Sequence, residues 1–437
     1  MFSSLSLLWL QPNDSNQGIT ILSKYGFDQK EAKSASASRE ALRCLANAFL
    51  LDEGSRQTFV DLGYAPKAAE KLKNDDHEDE FLSARILFLL TYNTKVDFEQ
   101  LIQQNQLCES INTQIARHSK CFASKSGRRK SETNSMVDMA LIETLKLLFN
   151  ITYYYPDLVP KFTPSVEPLV RIIMNHPLKT PPLQPPITYL FNALLNLDLA
   201  SAEKKTPIGP EVRSSPLFPY STPEEVVDRF TTIFNKAMRT MPENELDQAG
   251  APLCTLLRRL YELAQPQMKE WMRNIMLPKD RDREKPLGVG ETMAARLLRS
   301  SCSPNLPTLR ENISSLLFEL SDKDANKFVK NIGYGFAAGF LMNHNIEIPG
   351  SAAEANSMST GSDASGGAAV NPITGQTLKA EEKDRPIEQV EDMTQTEKER
   401  EAERLFVLFE RLKATGVVNV KNPVQQAVEE GRFEEIE

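Results

Sequence analysis

Along most of this chain apolar residues recur three and four apart, the period of helices with one buried face. "ASREALRCLANAFLLDEGSRQTFVDLG" reads as a helix, a short turn and a second helix. The same grammar repeats in "DEFLSARILFLLTYNTKVDFEQLIQQN", "MVDMALIETLKLLFNITYYYPDLVPKF" and "PPITYLFNALLNLDL". "GAPLCTLLRRLYELAQPQMKEWMRNIML" and "NLPTLRENISSLLFELSDKDANKFVKNIG" carry it further. Strand-like alternation is hard to find, so the pattern predicts an all-α chain. The Pro-rich stretches "HPLKTPPLQPP" and "EKKTPIGPEVRSSPLFPYSTPEE" read as loops or boundaries between helical units.

Polar residues interrupt the apolar helices at a regular phase. Arg43 and Asn47, Lys146 and Asn150, and Asn192 and Asn196 are pairs four apart, so each pair shares one helix face. Arg43 to Arg85 is 42 residues, and Asn150 to Asn192 is again 42. Arg85 to Lys146 is 61, and removing the 18-residue polar insert 118–135 leaves 43. Repeats of about 40–47 residues made of two or three helices are the signature of armadillo and HEAT arrays. The predicted fold is therefore a right-handed armadillo/HEAT superhelix, an α-solenoid, over residues 1–347. In such an array the last helix of each repeat lines the concave face. Arg43, Asn47, Arg85, Lys146, Asn150, Asn192 and Asn196 are the candidate groove residues. Asparagine amides there suit a peptide backbone, and the cations suit its carboxylates. The competing reading is that the asparagines cap neighbouring turns while the cations reach out to solvent. Arg258 and Arg259 extend the ladder by one step, with one of them facing water.

The texture changes near residue 348. Residues 348–392 have the Gly/Ser/Ala composition of a flexible linker. A helix follows over 393–416, with Thr394 and Glu397 at capping-box spacing and Gly416 as its stop. Its apolar stripe, Leu405, Phe406, Phe409 and Leu412, predicts a contact helix, and 417–437 is an acidic tail. Ser351 and Thr360 each have an acidic residue three positions on, as an acid-directed kinase requires.

Composition narrows the function. The net charge is −8, which argues against nucleic acid as main partner because phosphate binding needs a cationic face. Five scattered cysteines and four dispersed histidines show neither a C-x-x-C pair nor a zinc spacing, so no metal is expected and a reducing compartment is. Met1–Leu10 is apolar but lacks a basic start, and it reads as the beginning of a helix. No stretch approaches the ~20 apolar residues of a membrane span. The expectation is a soluble cytosolic protein. "SKSGRRKSE" reads as a solvated basic loop, and "NIGYGFAAG" lacks the order of a phosphate cradle. No nucleophile elbow, zincin or Walker pattern occurs, so neither a catalytic site nor a cofactor is expected.

Several segments resemble one family, synembryn, the non-receptor guanine-nucleotide exchange factor and chaperone for heterotrimeric G-protein α subunits. The resemblance lies in "ALRCLANAFLLDEGSRQTF", "ARILFLLTYNTKVD", "ETLKLLFNITYYY" and "SSLLFELSDKDANKFVKNIGYGFAAGFL". It continues in "NPITGQ" and "MTQTEKEREAERLFVLFERL", so the blocks run in order over most of the chain. The insert at 118–135 departs from the family pattern. So does the neutral Ser/Gly linker, which stands where relatives carry an acidic, phosphorylatable stretch. The resemblance implies a helical superhelix whose concave groove captures the C-terminal helix of Gα, loosening the nucleotide site so that GDP leaves. It also implies a monomer that shields nascent Gα and reaches the cell cortex or plasma membrane through it. The Leu405–Leu412 helix would brace the groove or touch the Gα GTPase domain. The alternative from another class is an armadillo-type peptide-binding scaffold or transport adaptor without exchange activity.

Overall fold

The computed structural model describes residues 12–123, 135–347 and 370–380, apart from 29–30, 32–33, 203, 207–208 and 372–373, together with Arg400 and Arg404. Seventeen α-helices lie among the described residues. The first seven are α1 (Pro12–Phe27), α2 (Ala35–Leu51), α3 (Glu53–Asp61), α4 (Ala65–Lys71), α5 (His77–Leu90), α6 (Phe98–Asn105) and α7 (Leu107–Ala123). The middle of the chain forms α8 (Ser135–Tyr154), α9 (Val166–Asn175), α10 (Ile187–Asn196), α11 (Glu225–Thr240) and α12 (Glu243–Leu263). Then come α13 (Pro266–Met276), α14 (Met293–Cys302), α15 (Pro307–Leu320), α16 (Ala325–Ile332) and α17 (Tyr334–Asn343). Two 3₁₀ segments, Pro156–Ser165 and Asp280–Glu284, join neighbouring helices.

The stacking order makes this an α-solenoid. Helix α2 packs on α5, α5 on α8, α8 on α10, α10 on α12, and α12 on α15. These helices form one row, backed by α1, α4, α7, α9, α11 and α14. Arg85 meets Glu143 while Thr91 meets Asn150, so α5 and α8 run in the same direction. The row repeats that sense at its far end, where Asp247 meets Thr308 and Thr255 meets Asn312. Each helix buries its apolar stripe against two neighbours, and one continuous core runs from Ile19 to Leu341.

Helix ends in this stack are closed by side chains from elsewhere in the chain. The last carbonyls of a helix lack intrahelical donors and carry partial negative charge, so a cation or an amide satisfies them best. Arg56 Nε reaches Phe49 O of α2 at 2.7 Å, and Gln114 Nε2 reaches Leu72 O beyond α4 at 2.6 Å. Arg229 Nη2 donates to His176 O beyond α9 at 2.7 Å. Arg259 donates to Leu195 O and, at 3.0 Å, to Leu197 O at the end of α10. The N-terminus of α15 is served the same way, since Asp247 accepts from Thr308 N at 2.9 Å and Leu309 N at 2.7 Å.

Three features differ from the sequence reading. The Pro-rich stretch after residue 203 is not wholly loop: strands β1 (Lys204–Thr206) and β2 (Gly209–Ser214) pair antiparallel, with Lys204 opposite Ser214 and an irregularity after Lys205. With only three and six residues, they are too short to show an alternating pattern. The insert 118–135 begins as the last turns of α7, and His118 is fully buried there. Within the stretch read as linker, residues 370–377 dock on the array. Leu287 N donates to Thr374 O, Thr377 N to Arg283 O, and Gln376 Nε2 to Glu284 O. Ser351, Thr360, Leu405, Phe406, Phe409 and Leu412 lie outside the described residues.

Candidate functional site

The centre of the row carries a cation pair on a buried carboxylate. Arg85 lies on α5 and Lys146 on α8, about a quarter exposed each, and both reach the same oxygen of Glu143. Arg85 Nη1 is 3.2 Å from Glu143 Oε1, and Lys146 Nζ is 2.9 Å from it. The Glu143 side chain is 4% exposed, and its Oε2 has no hydrogen-bond partner. Aromatic faces flank the cations. Lys146 Nζ lies 5.3 Å from the Tyr189 ring centre and 5.7 Å from that of Phe88, while the Arg85 guanidinium lies over Phe81. Such faces attract the cations and strip part of their water. Beyond them Phe149 stacks on Tyr153, and Tyr92 and Tyr153 are exposed.

The ladder residues divide into two groups. Arg43, Asn47, Arg85, Lys146 and Asn192 keep exposure along the row. Arg43 is nonetheless ion-paired with Glu40 and Glu78, and Arg39 beside it meets Asp76, Glu78 and Asp79. Among the described residues none makes a side-chain hydrogen bond to Asn47 or Asn192, and Asn47 is exposed and Asn192 partly so. Asn150 and Asn196 are different, since each gives an amide N–H to a neighbouring helix, and for the buried Asn150 the expectation of a ligand contact is corrected. Asn150 is buried, and its Nδ2 donates to Thr91 Oγ1 at 2.7 Å. Asn196 gives its Nδ2 to Phe149 O, within α8. Arg259 is likewise committed to the end of α10, while the half-buried Arg258 leaves its Nε without a partner. Sequence reasoning missed Glu143, Phe88 and Tyr189. Glu143 stands three before Lys146, a visible ion-pair spacing, and nothing local marks it as buried.

One cluster has metal-ligand chemistry. His77, Glu80 and His118, dispersed in sequence, are brought together by α5 and α7 with ligand atoms within 4.8 Å of one another. Arg117 already stands among them, its Nη2 3.2 Å from His77 Nδ1 and ion-paired with Glu80 Oε2. His118 Nε2 and Thr144 Oγ1 also reach Glu80, at 2.9 and 2.8 Å. Burial pushes the Glu80 carboxyl up, but His118, Thr144 and Arg117 together hold it below the usual carboxylate range. The guanidinium supplies the charge that a metal ion would bring, so these residues form a buried staple between α5, α7 and α8.

The family model described as guanine nucleotide exchange factor synembryn matches residues 9–432. The chain belongs to the synembryn family. A synembryn-like chaperone of Schizosaccharomyces pombe is 28% identical over 84% of this chain and 68% of its own length. The chaperone Ric-8A of Bos taurus is 24% identical over 87% of this chain and 72% of its own. A designed armadillo repeat protein aligns with 70% of this chain and 99% of its own at 9% identity, with a TM-score of 0.39. No helix among the described residues is long and apolar enough to cross a membrane.

Proposed function

We propose that this synembryn-family chain binds a heterotrimeric G-protein α subunit, using the α2–α5–α8–α10 row to take the C-terminal helix of Gα. Arg85 and Lys146 converging on one oxygen of Glu143 is the observation that carries this reading. A peptide carboxylate meets two partly desolvated cations there, and the rings of Phe88 and Tyr189 offer apolar surface beside them. Asn47 and Asn192 bond the peptide backbone at either side. Asn150, Asn196 and Arg259 position the row by tying neighbouring helices together.

Exchange then follows from linkage. A groove that binds nucleotide-free Gα more tightly than its GDP-bound form must lower affinity for GDP by the same factor. No bond is made or broken, in keeping with a site built from cations, amides and rings. The same grip shields a nascent Gα and supports a chaperone role. The helix around Leu405–Leu412 adds a second contact to the GTPase domain. The protein works as a monomer in the cytosol and reaches the membrane through Gα. Five scattered cysteines fit that compartment; burial pushes the Cys108 thiol up to about 12.

The test is GDP release from purified Gα, followed with labelled nucleotide. Faster release in the presence of the protein supports the proposal. Stable binding without faster release identifies a peptide-binding adaptor instead.

A further inference from the structure

We infer that Glu143 determines specificity: as a fixed counter-charge under Arg85 and Lys146, it suits the row to a peptide with one carboxylate at this point and disfavours two. This rests on the peptide-binding reading given above. The two cations and the one carboxylate sum to a single positive charge. Glu143 is almost fully enclosed, and the donors that reach it are Arg85 and Lys146, both on Oε1. It therefore does not touch a ligand; it acts on the two groups that do. Arg85 keeps four further N–H donors and Lys146 two, enough to hold one incoming carboxylate.

The surroundings reinforce the limit. Toward α2 the next cations, Arg39, Arg43 and Lys71, are outnumbered by Glu40, Asp76, Glu78 and Asp79. Toward α10 the row offers Asn192, which is neutral. A second carboxylate meets repulsion toward α2; toward α10 it meets a neutral amide, with Arg259 beyond it already committed to Leu195 O and Leu197 O. Like-charge contacts of this kind discriminate partners more than they set affinity.

The experiment uses the full chain and two peptides of the Gα C-terminal helix, one native with a free carboxylate and one with an extra aspartate beside the last residue. In the wild type the extra aspartate brings no gain in affinity, and the slope of log Kd against log salt stays the same. In Glu143→Gln, which keeps the side-chain shape, the extra-aspartate peptide gains about three- to tenfold relative to the native one. Its salt dependence steepens as well, a readout that a purely structural role does not move. An unchanged ratio in Glu143→Gln overturns the inference while leaving the peptide site intact. The wild-type salt slopes decide the matter if that variant does not fold: a steeper slope for the extra-aspartate peptide overturns it. Failure of the wild type to bind either peptide overturns the peptide-binding reading, and this inference with it.

Discussion

Asn150 Nδ2 donates to Thr91 Oγ1 over 2.7 Å, tying the C-terminal part of α8 to the C-terminal end of α5. The carboxamide is buried, so this bond belongs to the stack rather than to a ligand. Asn150→Ala leaves the threonine hydroxyl without its donor and lowers stability by about 1–2 kcal/mol. Urea unfolding measures it. An unchanged midpoint together with weakened Gα binding would return Asn150 to the ligand face.

Arg259 closes the end of α10 through Leu195 O and Leu197 O. Burial pulls its pKa below the usual arginine value, although Glu262 and Asp198 oppose that. Arg259→Met keeps the aliphatic bulk, removes the donors and destabilises by about 1.5–3 kcal/mol, as expected for a charged hydrogen bond. Amide exchange should then accelerate first in the last turn of α10. Uniform exchange across the chain would contradict a local capping role.

Gly375 has φ +67, and a Cβ there would lie 2.4 Å from Leu287 Cδ1. The close approach lets Arg283 Nη1 bond Gly375 O at 3.0 Å while its Nη2 bonds Lys330 O and Asn331 O. Gly375→Val is expected to undock 370–377, with faster exchange at the amides of Leu287 and Thr377 and little change in global stability. Protection equal to wild type would show that the contact tolerates a side chain.

His176 is buried beyond α9, with Nδ1 2.9 Å from Pro177 O. Burial holds its pKa below the usual imidazole value, against the opposing pull of that carbonyl and of Asp138. His77 is depressed too, by burial and then by Arg117. In each case the unfolded chain, near 6.5, binds the proton more readily than the folded one. Stability is therefore highest above about pH 6.5 and falls as the pH drops through it. The melting temperature should be lower at mildly acidic than at mildly alkaline pH, and His176→Gln should shrink the difference. Equal melting temperatures in the wild type would rule the mechanism out.

Much of this architecture is legible in the sequence because helix packing writes a local period. The stripes of α2, α5, α8 and α10 show it, and the 42-residue spacing places Arg43, Arg85, Asn150 and Asn192 on successive members of one row. What the period does not separate is which polar residue faces the neighbouring helix. Lys146 and Asn150 share a face, yet one keeps exposure and the other bonds Thr91, because the stagger between α5 and α8 decides it. Burial of Glu143 depends on that same stagger. The docking of Gly375 on a loop 92 residues earlier leaves no mark in a Ser/Gly-rich stretch. The meeting of Glu80 with His118 is likewise a product of packing between α5 and α7.

The most direct measurement is titration of a Gα C-terminal-helix peptide into the wild type and into the Arg85→Ala/Lys146→Ala double variant, alongside GDP release from intact Gα. Two exposed charge contacts are worth about 1–2 kcal/mol together, roughly a tenfold loss of affinity. Wild-type binding that falls by that factor in the double variant, with exchange slowed in parallel and helical content retained even though the melting temperature drops as Glu143 loses both partners, is the predicted result. Equal affinity and equal release rates for the two proteins would contradict a peptide seat on this row.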